Sequence, residues 1–323
     1  PDLRMEKRKE VNVGFDALLF DRSLQIAVNY YESRITDKIG KSTHKYPTYQ
    51  TDLAPYGNDA GSDRFFGGEI AVNYTKRFND FRLDAGVVAS LCDSRVLTRN
   101  DFYAYDYLYR TGRPVTGLYM LEAEGLFGSQ EEIDASPRQT FGAVKPGDIK
   151  YKDQNGDKII DSNDMVYVGR GSNPINLGVN LTIGYRNFTL HANGYGSMGG
   201  YSSIEGSYYR MSGTDKYSVI AKERWTEATK ATAKYPRLSS VESTNNNQSS
   251  TFWLFKNRYF NLSRVQLSYS FAPHICRKLQ LGHLDVYLLA SDVALVGTQN
   301  AYRNQSTGSL QTRSFAIGLN ATF

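Results

Sequence analysis

The sequence contains only two cysteines, which excludes a disulfide framework and a cysteine-based metal site. Cys92 and Cys276 lie far apart, and neither belongs to a Cys-x-x-Cys motif. Zinc sites and disulfide-rich folds need several cysteines at characteristic short spacings. Cys92 sits in an apolar alternation, and this position predicts a thiol packed among its neighbours.

Long apolar runs are also missing from the chain. No apolar run reaches the roughly 18 residues that a transmembrane helix needs, and the mean hydropathy is −0.49. This excludes membrane-spanning helices. It does not exclude strands that cross a membrane, because such strands alternate apolar and polar residues.

Clusters of positive charge are absent, although the net charge is +5. The 38 Lys and Arg residues are spread along the chain among 33 Asp and Glu residues. Nucleic-acid binding requires a basic stripe or patch. The sequence therefore predicts no nucleic-acid partner.

Histidines are few, and no catalytic motif is present. The chain contains no His-Glu-x-x-His motif, no Gly-x-Ser-x-Gly motif and no suggestive spacing of Ser, His and Asp; its histidines are scattered, at His44, His191, His274 and His283. His191 alternates with apolar neighbours, so we expect it on the polar face of a strand, in a wall. We predict that the protein is not an enzyme and that it has no catalytic or cofactor-binding residues.

The abundant residues are those of β-structure. The chain has 24 Tyr, 16 Phe and 28 Gly, and aromatic, alternating, glycine-punctuated segments are typical of an all-β protein. Apolar residues alternate with polar residues over about nine segments. These predicted strands cover residues 11–19, 24–30, 70–74, 83–91, 177–185, 188–192, 265–271, 284–290 and 315–323.

The connections between these strands alternate between short and long. The long excursions cover approximately residues 37–64, 93–173, 199–257 and 297–312, and the third of them contains one predicted helix, over residues 217–229. Short turns at one end and long extracellular loops at the other are typical of outer-membrane barrels. Aromatic residues cluster at the predicted short turns, as bilayer interfaces favour: Phe20, Phe78, Phe81, Tyr185, Phe188, Phe271 and Phe323.

The predicted fold class is therefore all-β, an antiparallel transmembrane β-barrel with long extracellular loops, embedded in a lipid bilayer. A soluble β-sandwich would explain the alternation but not the aromatic belts. Bacterial single-chain barrels have even strand numbers, whereas the sequence predicts about nine strands up to the terminal Phe323. We expect residues 1–323 to be the C-terminal part of a larger barrel.

One acidic segment has the residue types of a calcium loop. Calcium takes six to eight oxygen ligands on a tight loop, and the segment offers Asp153, Asn155, Asp157, the Ile159 carbonyl, Asp161 and Asp164. Lys158 stands where such loops normally carry Gly, and the flanking segments 149–151 and 165–168 are predicted to be extended. We predict a structural Ca²⁺ site, and the alternative interpretation is an acidic, solvated turn.

A second candidate site is a tyrosine-rich segment in the same excursion. Its alternation predicts one strand face that carries Tyr103, Tyr105, Tyr107 and Tyr109. Such a face could stack on sugar rings or bind a peptide backbone. The alternative is a strand whose tyrosines pack within the protein.

With these residues in place, the chain resembles the C-terminal barrel portion of SusC/RagA-like TonB-dependent outer-membrane transporters. The resemblance covers most of the chain in the expected order. The matching segments are residues 111–127, 129–137, 146–164, 168–174, 224–238, 255–271 and the ending Arg-Ser-Phe-Ala-Ile-Gly-Leu-Asn-Ala-Thr-Phe.

This resemblance implies a function and a set of partners. Such transporters are barrels of about 22 strands around a plugged lumen in the outer membrane of Gram-negative bacteria. They import oligosaccharides or peptides, are driven through TonB, and pair with a SusD-like surface lipoprotein that acts as a lid. We expect the plug domain and the TonB-binding segment to be absent from this chain, so that the chain alone would not transport.

A second functional interpretation remains open from the residues alone. The chain could be a calcium-stabilised extracellular β-rich module that binds glycans or proteins without transport. A structural adhesin would be a third class. Solubility without detergent would distinguish a binding module from a barrel segment.

Overall fold

The fold is described from a computed structural model, which defines residues 3–41, 54–206, 208–211, 213, 217–298 and 312–323. Parts of the predicted loops 37–64, 199–257 and 297–312 lie outside the described residues. The strands are, in chain order, β1 Lys7–Leu19, β2 Leu24–Thr36, β3 Gly40–Lys41, β4 Tyr56–Gly57, β5 Ser62–Phe78, β6 Phe81–Thr98, β7 Gly117–Leu121, β8 Ala123–Leu126, β9 Arg138–Gln139, β10 Ile149–Tyr151, β11 Ile159–Ile160, β12 Met165–Arg170, β13 Ile175–Tyr185, β14 Phe188–Ser203, β15 Leu254–Ser270, β16 His283–Gly297 and β17 Ser314–Thr322.

Helices are short in the described part of the chain. The two α-helices are α1, Gln130–Ala135, and α2, Pro273–Lys278, and four 3-10 turns cover Asp106–Leu108, Ser162–Asp164, Val219–Glu223 and Thr251–Trp253. None of these helices is long and apolar enough to span a bilayer.

Nine strands form one antiparallel sheet, in the order β1-β2-β5-β6-β13-β14-β15-β16-β17. The nine strands follow one another in the sheet in the same order as along the chain, as the wall of an up-and-down barrel requires. In the described residues β1 and β17 pair on one side only, so the sheet is open. The prediction of a partial antiparallel barrel of about nine strands is confirmed.

The register places apolar residues in continuous rows across this sheet. One row of paired residues crosses all nine strands, and its one polar group is the hydroxyl of Tyr74. The row consists of Leu19, Leu24, Tyr74, Ala85, Leu181, Ala192, Val265, Ala290 and Phe315. Apolar residues of this face are exposed, for example Phe315 at 78%. An exposed apolar face of this extent is suited to lipid contact.

The opposite face of the sheet is polar. The adjacent row begins at Leu18 and continues through Gln25, Asn73, Gly86, Asn180, Asn193, Arg264, Ser291 and Ser314. A side chain at Gly86 would meet the Asn180 amide oxygen at 2.2 Å, so a glycine is needed where two asparagines converge. His191 also lies on this face, 2.9 Å from the Thr182 hydroxyl, as predicted for a wall residue.

The polar face also carries Cys92, contrary to our prediction of a packed thiol. Cys92 is exposed and accepts a hydrogen bond from the Tyr31 hydroxyl at 2.8 Å. The apolar alternation of β6 ends at Leu91, and Cys92 is the next residue on the other face. Cys276 belongs to α2 and is buried.

The two ends of the sheet differ in their connections. At the short-turn end, residues 20–23, 79–80, 186–187 and 271–282 join successive strands, and exposed aromatic residues flank these turns, including Phe20, Phe78, Tyr185 and Phe188. At the long-loop end, β6, β14 and β15 continue past their predicted ends. In these extensions apolar and polar residues no longer alternate, but the backbone hydrogen bonds between neighbouring strands continue.

The main apolar core lies outside the sheet, in a lobe at the long-loop end. We call this the loop lobe, and it consists of the connections 99–174 and 204–253. Its buried core comprises Leu121, Ile149, Tyr151, Ile160, Tyr209 and Trp253. The barrel wall therefore supports a separate packed unit.

Candidate functional site

The loop lobe is built by pairing within the first connection and by contacts with the second. Strand β8 pairs with β10, β9 with β11, and β7 with β12. Leu121 at the end of β7 bridges to Ser250 of the second connection, and the Ala123 amide donates to the Thr251 hydroxyl at 2.9 Å. The two long connections thus form one unit.

Buried amide side chains join these connections at their centre. Gln139 donates to the Asn245 amide oxygen at 2.7 Å and to the Ile149 carbonyl at 3.0 Å. Asn246 accepts from the Ile149 amide at 2.8 Å, and its own carbonyl accepts from the Trp253 indole at 2.7 Å. Buried polar groups need such partners, since an unpaired one costs about 1–3 kcal/mol.

A buried ion pair lies beside this amide network. Asp148 is fully buried, and its Oδ1 lies 2.8 Å from Arg237 Nε. Arg237 Nη2 donates to Asp148 Oδ2 at 3.2 Å, and Asn246 donates to Oδ1 at 2.9 Å. The carboxylate of one connection is therefore neutralised by a guanidinium of the other.

Tyr151 occupies the middle of the lobe core. Its hydroxyl donates to the Asn245 carbonyl at 2.7 Å. Burial raises the pKa of Tyr151, because the charged phenolate is poorly solvated there. Tyr151 thus stays neutral at physiological pH and serves as a hydrogen-bonded core residue.

The predicted calcium loop is held by hydrogen bonds to its own backbone. Asp153 accepts from the amides of Gly156 and Lys158 at 2.7 and 2.9 Å. Asp157 accepts from the Ile159 amide at 2.7 Å, and Asn155 accepts from the Asp157 amide at 2.9 Å. The short side chains stabilise successive turns, as Asp and Asn commonly do.

The second half of the loop is closed by a reciprocal cap. Asp161 accepts from the Asn163 amide at 2.7 Å, while Asp164 accepts from the Asp161 amide at 2.8 Å. Asp164 is fully buried and also accepts from the Gln154 amide at 2.8 Å. This cap fixes the last turn against the first.

The backbone of the loop agrees with two details of the calcium prediction. Lys158 has a left-handed backbone, with φ of 63°, at the position where calcium loops carry Gly. The flanks are extended, in β10 and β12, as predicted. Ile159, whose carbonyl is the predicted ligand, lies in β11 beside β9.

The side chains, however, do not converge on one point. In the part of the chain that the structure describes, no group of three or more His, Cys, Asp or Glu side chains is placed to hold a metal ion. The aspartates instead direct their oxygens to amide groups of the loop. The calcium site therefore stays a prediction.

The predicted tyrosine strand does not form, and this prediction is wrong. Residues 100–110 contain only the 3-10 turn Asp106–Leu108. Asp101 Oδ2 accepts from the amides of Arg110 and Thr111 at 2.9 and 3.1 Å, which closes the segment on itself. An Asp that binds nearby amides competes with strand pairing.

The tyrosines form two pairs in place of one face. Tyr105 and Tyr107 stack with their ring centroids 5.3 Å apart, and Tyr103 and Tyr109 lie 6.3 Å apart. The Tyr107 hydroxyl donates to the Asn163 carbonyl at 2.6 Å, and the Asn155 amide donates to the Tyr105 hydroxyl at 3.1 Å. One pair thus braces the acidic loop.

The two predicted sites are therefore neighbours, which the sequence did not indicate. Burial, and then the nearby Asp164 carboxylate, raise the pKa of Tyr107. The other pair stays accessible, with Tyr103 41% and Tyr109 38% exposed. Tyr105 and Tyr107 are half-buried, and contact of the four tyrosines with a ligand stays a prediction.

The amide network and the buried ion pair were missed by motif analysis. Gln139, Asn245 and Asn246 belong to no short motif, and their partners lie about a hundred residues away in sequence, as with the 106-residue separation of Gln139 and Asn245. The only signal was that residues 146–164 and 224–238 both belong to the family resemblance.

Comparisons with known proteins agree with the fold and the resemblance. No protein-family model matches the chain. TonB-dependent receptor P26 of Formosa agariphila is 26% identical over 358 residues, which covers 100% of this chain and 35% of that protein. TonB-dependent receptor P39 of the same organism is 23% identical over 326 residues, covering 86% of this chain and 30% of that protein. The chain thus spans about a third of the length of these relatives.

Solved structures share the architecture. The RagAB peptide importer in its open-open state superposes with a TM-score of 0.74 and 18% identity, covering 100% of this chain and 35% of that chain. The RagAB peptide transporter gives a TM-score of 0.70 and 18% identity, over 92% of this chain and 32% of that chain. The relatives are receptors and transporters, in agreement with the prediction that the chain is not an enzyme. The similarity to TonB-dependent receptors along the chain, together with the shared barrel fold, supports the resemblance to a partial region of a TonB-dependent transporter.

Proposed function

We propose that the full protein imports oligosaccharides or peptides across the outer membrane of a Gram-negative bacterium, with energy delivered through TonB. The observation that carries this proposal is the sheet with one continuous apolar face and one polar face. In a closed barrel the polar face lines a lumen. The lobe at the long-loop end would then stand at the extracellular entrance.

We further propose that a SusD-like surface lipoprotein docks at the long-loop end. The RagAB structures carry two-component names and share this fold, which supports a partner of that kind. The rigid loop lobe offers a defined surface to such a partner. The TonB-binding segment and the plug would lie in parts of the protein outside this chain.

The first test is the size and location of the native polypeptide. An antibody against residues 129–146 would detect it in separated membranes. Since the chain of 36.4 kDa spans 35% of a curated relative, we expect an outer-membrane band of roughly three times this mass. A soluble band near the mass of the chain would instead support the calcium-stabilised binding module.

Transport is tested by uptake of fluorescent oligosaccharides and peptides by living cells. We expect uptake of one class to cease when TonB is deleted and to fall sharply when the neighbouring lipoprotein gene is removed. Uptake that continues at the same rate without TonB would contradict the proposed mechanism.

We also propose that the loop 153–164 binds Ca²⁺ with a structural role. The residue types and the left-handed Lys158 support this site. To bind the ion, the side chains of the loop must give up their hydrogen bonds to backbone amides. We therefore expect weak binding, with a Kd of about 10⁻⁴–10⁻³ M, as in extracellular calcium modules.

The calcium proposal is tested by limited proteolysis of the loop in Ca²⁺ and in a chelator. We expect slower cleavage in Ca²⁺ and no such difference in Asp157→Ala. Lys158→Gly relieves a left-handed non-glycine residue, which costs roughly 1 kcal/mol, so it should protect the loop further. Identical cleavage with and without Ca²⁺ would exclude the site.

A further inference from the structure

Two arginine guanidiniums in the loop lobe lie over tyrosine rings, and among the described residues neither has an acidic partner. The Arg110 guanidinium lies 5.2 Å from the Tyr119 ring centroid, and the Arg113 guanidinium lies 4.8 Å from that of Tyr167. Tyr119 of β7 pairs with Tyr167 of β12, and their rings lie side by side, tilted by 60°, with centroids 5.9 Å apart. We call Arg110, Arg113, Tyr119 and Tyr167 the Arg–Tyr cluster.

The cluster is fixed by its surroundings. The Tyr119 hydroxyl donates to the Tyr109 carbonyl at 2.7 Å, which holds the ring below Arg110. The Arg113 carbonyl accepts from the Val96 amide at 2.9 Å, and the Val96 carbonyl accepts from the Gly112 amide at 2.8 Å. These bonds attach the segment that carries both arginines to the upper end of β6.

The Arg–Tyr cluster lies close to the polar face of the sheet. The Val115 amide donates to the Ser94 hydroxyl at 3.2 Å. Ser94 alternates with Ser90 and Gly86 on the polar face of β6. The cluster therefore lies where that face ends at the long-loop end, at the proposed entrance of the lumen.

The charges of the cluster are not compensated by ion pairs. Among the described residues, neither guanidinium lies within salt-bridge distance of a carboxylate, unlike Arg170, which pairs with Asp93 at 2.8 Å. The nearest acidic residue in sequence is Asp106, and among the described residues it forms no ion pair with either arginine. Asp101 Oδ2 accepts hydrogen bonds from the amides of Arg110 and Thr111 and from the Thr111 hydroxyl. Both arginines are exposed.

Stacking prepares a guanidinium for an anion. A ring beneath the plane of the guanidinium fixes its orientation, while its N–H donors point outward along the edges. Carboxylates bind such edges through two parallel hydrogen bonds. Arg110 and Arg113 each lie over a tyrosine ring and have no acidic partner in the described residues, so their donors are available to an anion.

We propose that the Arg–Tyr cluster is an entry site for carboxylate groups of the imported ligand. This inference rests on the proposed import function and specifies the chemistry of the ligand. The carboxylate could belong to a uronic-acid oligosaccharide or to an acidic peptide. Attraction of the ligand at the mouth of the lumen would raise its capture rate at low ionic strength.

The test is calorimetric binding to the purified full-length transporter. The probes are trigalacturonic acid, the neutral trisaccharide galactotriose, and the peptides Glu-Ala-Ala and Gln-Ala-Ala, both acetylated at the N-terminus and amidated at the C-terminus so that only the Glu peptide carries a carboxylate. We expect one acidic probe to bind at least about tenfold more tightly than its neutral counterpart, a difference of about 1.4 kcal/mol, because hydrogen bonds to charged groups are stronger than those between neutral groups. The pair that shows the difference identifies the source of the carboxylate.

Variants assign this preference to the cluster. Arg110→Gln/Arg113→Gln should abolish the difference between acidic and neutral probes and its dependence on salt. Arg110→Lys/Arg113→Lys keeps the charge but loses the planar fork, so it should restore only part of the preference. The control Arg277→Gln/Lys278→Gln removes two exposed charges at the short-turn end and should bind like the unaltered protein.

The uptake experiment tests the import proposal, and the binding experiment tests the carboxylate site, so either proposal can fail without the other. Equal affinity for acidic and neutral probes, or the same loss in the control variant, overturns the carboxylate site even if TonB-dependent uptake is observed. A carboxylate preference that depends on Arg110 and Arg113 supports the site, even in a protein whose uptake does not require TonB.

Discussion

Single buried side chains hold the loop lobe together. Asp148 and Asn246 lie about a hundred residues apart in sequence, yet their side chains meet at 2.9 Å. Each contributes a hydrogen-bonding group that water cannot reach. The stability of the lobe therefore depends on a few polar contacts as well as on its apolar core.

Removing the charge of Asp148 should loosen the lobe. Asp148→Asn leaves the Arg237 guanidinium without its counterion in a largely buried position. Loss of one partner of a fully buried pair costs about 3–5 kcal/mol, and since the Arg237 side chain is 20% exposed, we expect about 2–3 kcal/mol. The measurement is the rate of limited proteolysis within residues 99–174.

A double-mutant cycle provides the control for this prediction. Arg237→Gln alone should be as damaging as Asp148→Asn, and the two together should cost clearly less than their sum. Additive effects would mean that the two groups do not interact.

The tyrosine pair next to the acidic loop has a smaller effect. Tyr107→Phe removes the hydroxyl that donates to the Asn163 carbonyl at 2.6 Å but keeps the stack on Tyr105. We expect a loss of about 1 kcal/mol, the usual contribution of a hydrogen bond, measured as faster amide hydrogen exchange in residues 161–165. Tyr103→Phe, outside this contact, should leave exchange there unchanged.

The elements of the wall were predictable because a period of two is a strong signal. In β13, Leu177, Val179, Leu181 and Ile183 mark one face, and the structure has this strand from Ile175 to Tyr185. The lobe lacks such a signal. The helix that the sequence indicates over residues 217–229 does not form, and only the 3-10 turn Val219–Glu223 is present.

The failed helix has a local cause. The Thr229 hydroxyl donates to the Arg224 carbonyl at 2.9 Å and accepts from the Thr226 amide at 2.9 Å. Threonine side chains that bind nearby backbone groups compete with helical hydrogen bonds. Arg224 also bridges to Tyr235, which turns the chain away from a helical path.

The attachment of α1 should depend on pH. Ser129 caps this helix, and the Glu132 carboxylate accepts from the Gly128 amide at 2.8 Å and from Lys150 at 3.0 Å. The Gly128 amide first, and Lys150 second, lower the pKa of Glu132. The stabilisation is thus complete above the unfolded pKa of about 4.3 and is lost as the pH falls through the lower folded value.

Hydrogen exchange of the Gly128 amide measures this effect. Protection should decrease below about pH 4, and Glu132→Gln should show reduced protection already at neutral pH. Asp134→Asn, which changes a neighbouring exposed carboxylate, should keep the normal profile. A profile of Glu132→Gln that matches the unaltered protein would contradict the role of this carboxylate.

At the scale of the whole molecule, the two faces of the sheet should differ in their tolerance of a charged substitution. Leu181 belongs to the apolar row and Asn180 to the polar row of the same strand. Arginine on a lipid-facing position near the bilayer midplane costs about 2–4 kcal/mol, whereas a lumen position tolerates it. Leu181→Arg should therefore lower the amount of folded protein in the outer membrane, and Asn180→Arg should not.

Heat-modifiable migration in gels reports the folded barrel for both variants. Equal folding of Leu181→Arg and Asn180→Arg would mean that the apolar rows do not face lipid. Folding lost equally in both would point to the strand itself rather than to its environment.

For the candidate sites, the sequence predicted which segments carry the residues but not which residues contact each other. The residues of the acidic loop and its extended flanks could be assigned from sequence, because Asp and Asn spacing fixes local turns. The contact of Tyr105 and Tyr107 with that loop, and the stacking of Arg113 on Tyr167, depend on long-range packing. Such contacts leave no periodic trace in one sequence.

The joining of two distant connections in the loop lobe has a consequence for how the protein matures. Contacts such as Gln139 with Asn245 close a chain segment of more than a hundred residues, and contacts of long sequence separation form slowly. The lobe core cannot assemble until the chain has passed through β13 and β14, because these two strands separate the connections 99–174 and 204–253. We therefore expect the entrance to be completed late in biogenesis, after the wall between β6 and β15 is in place.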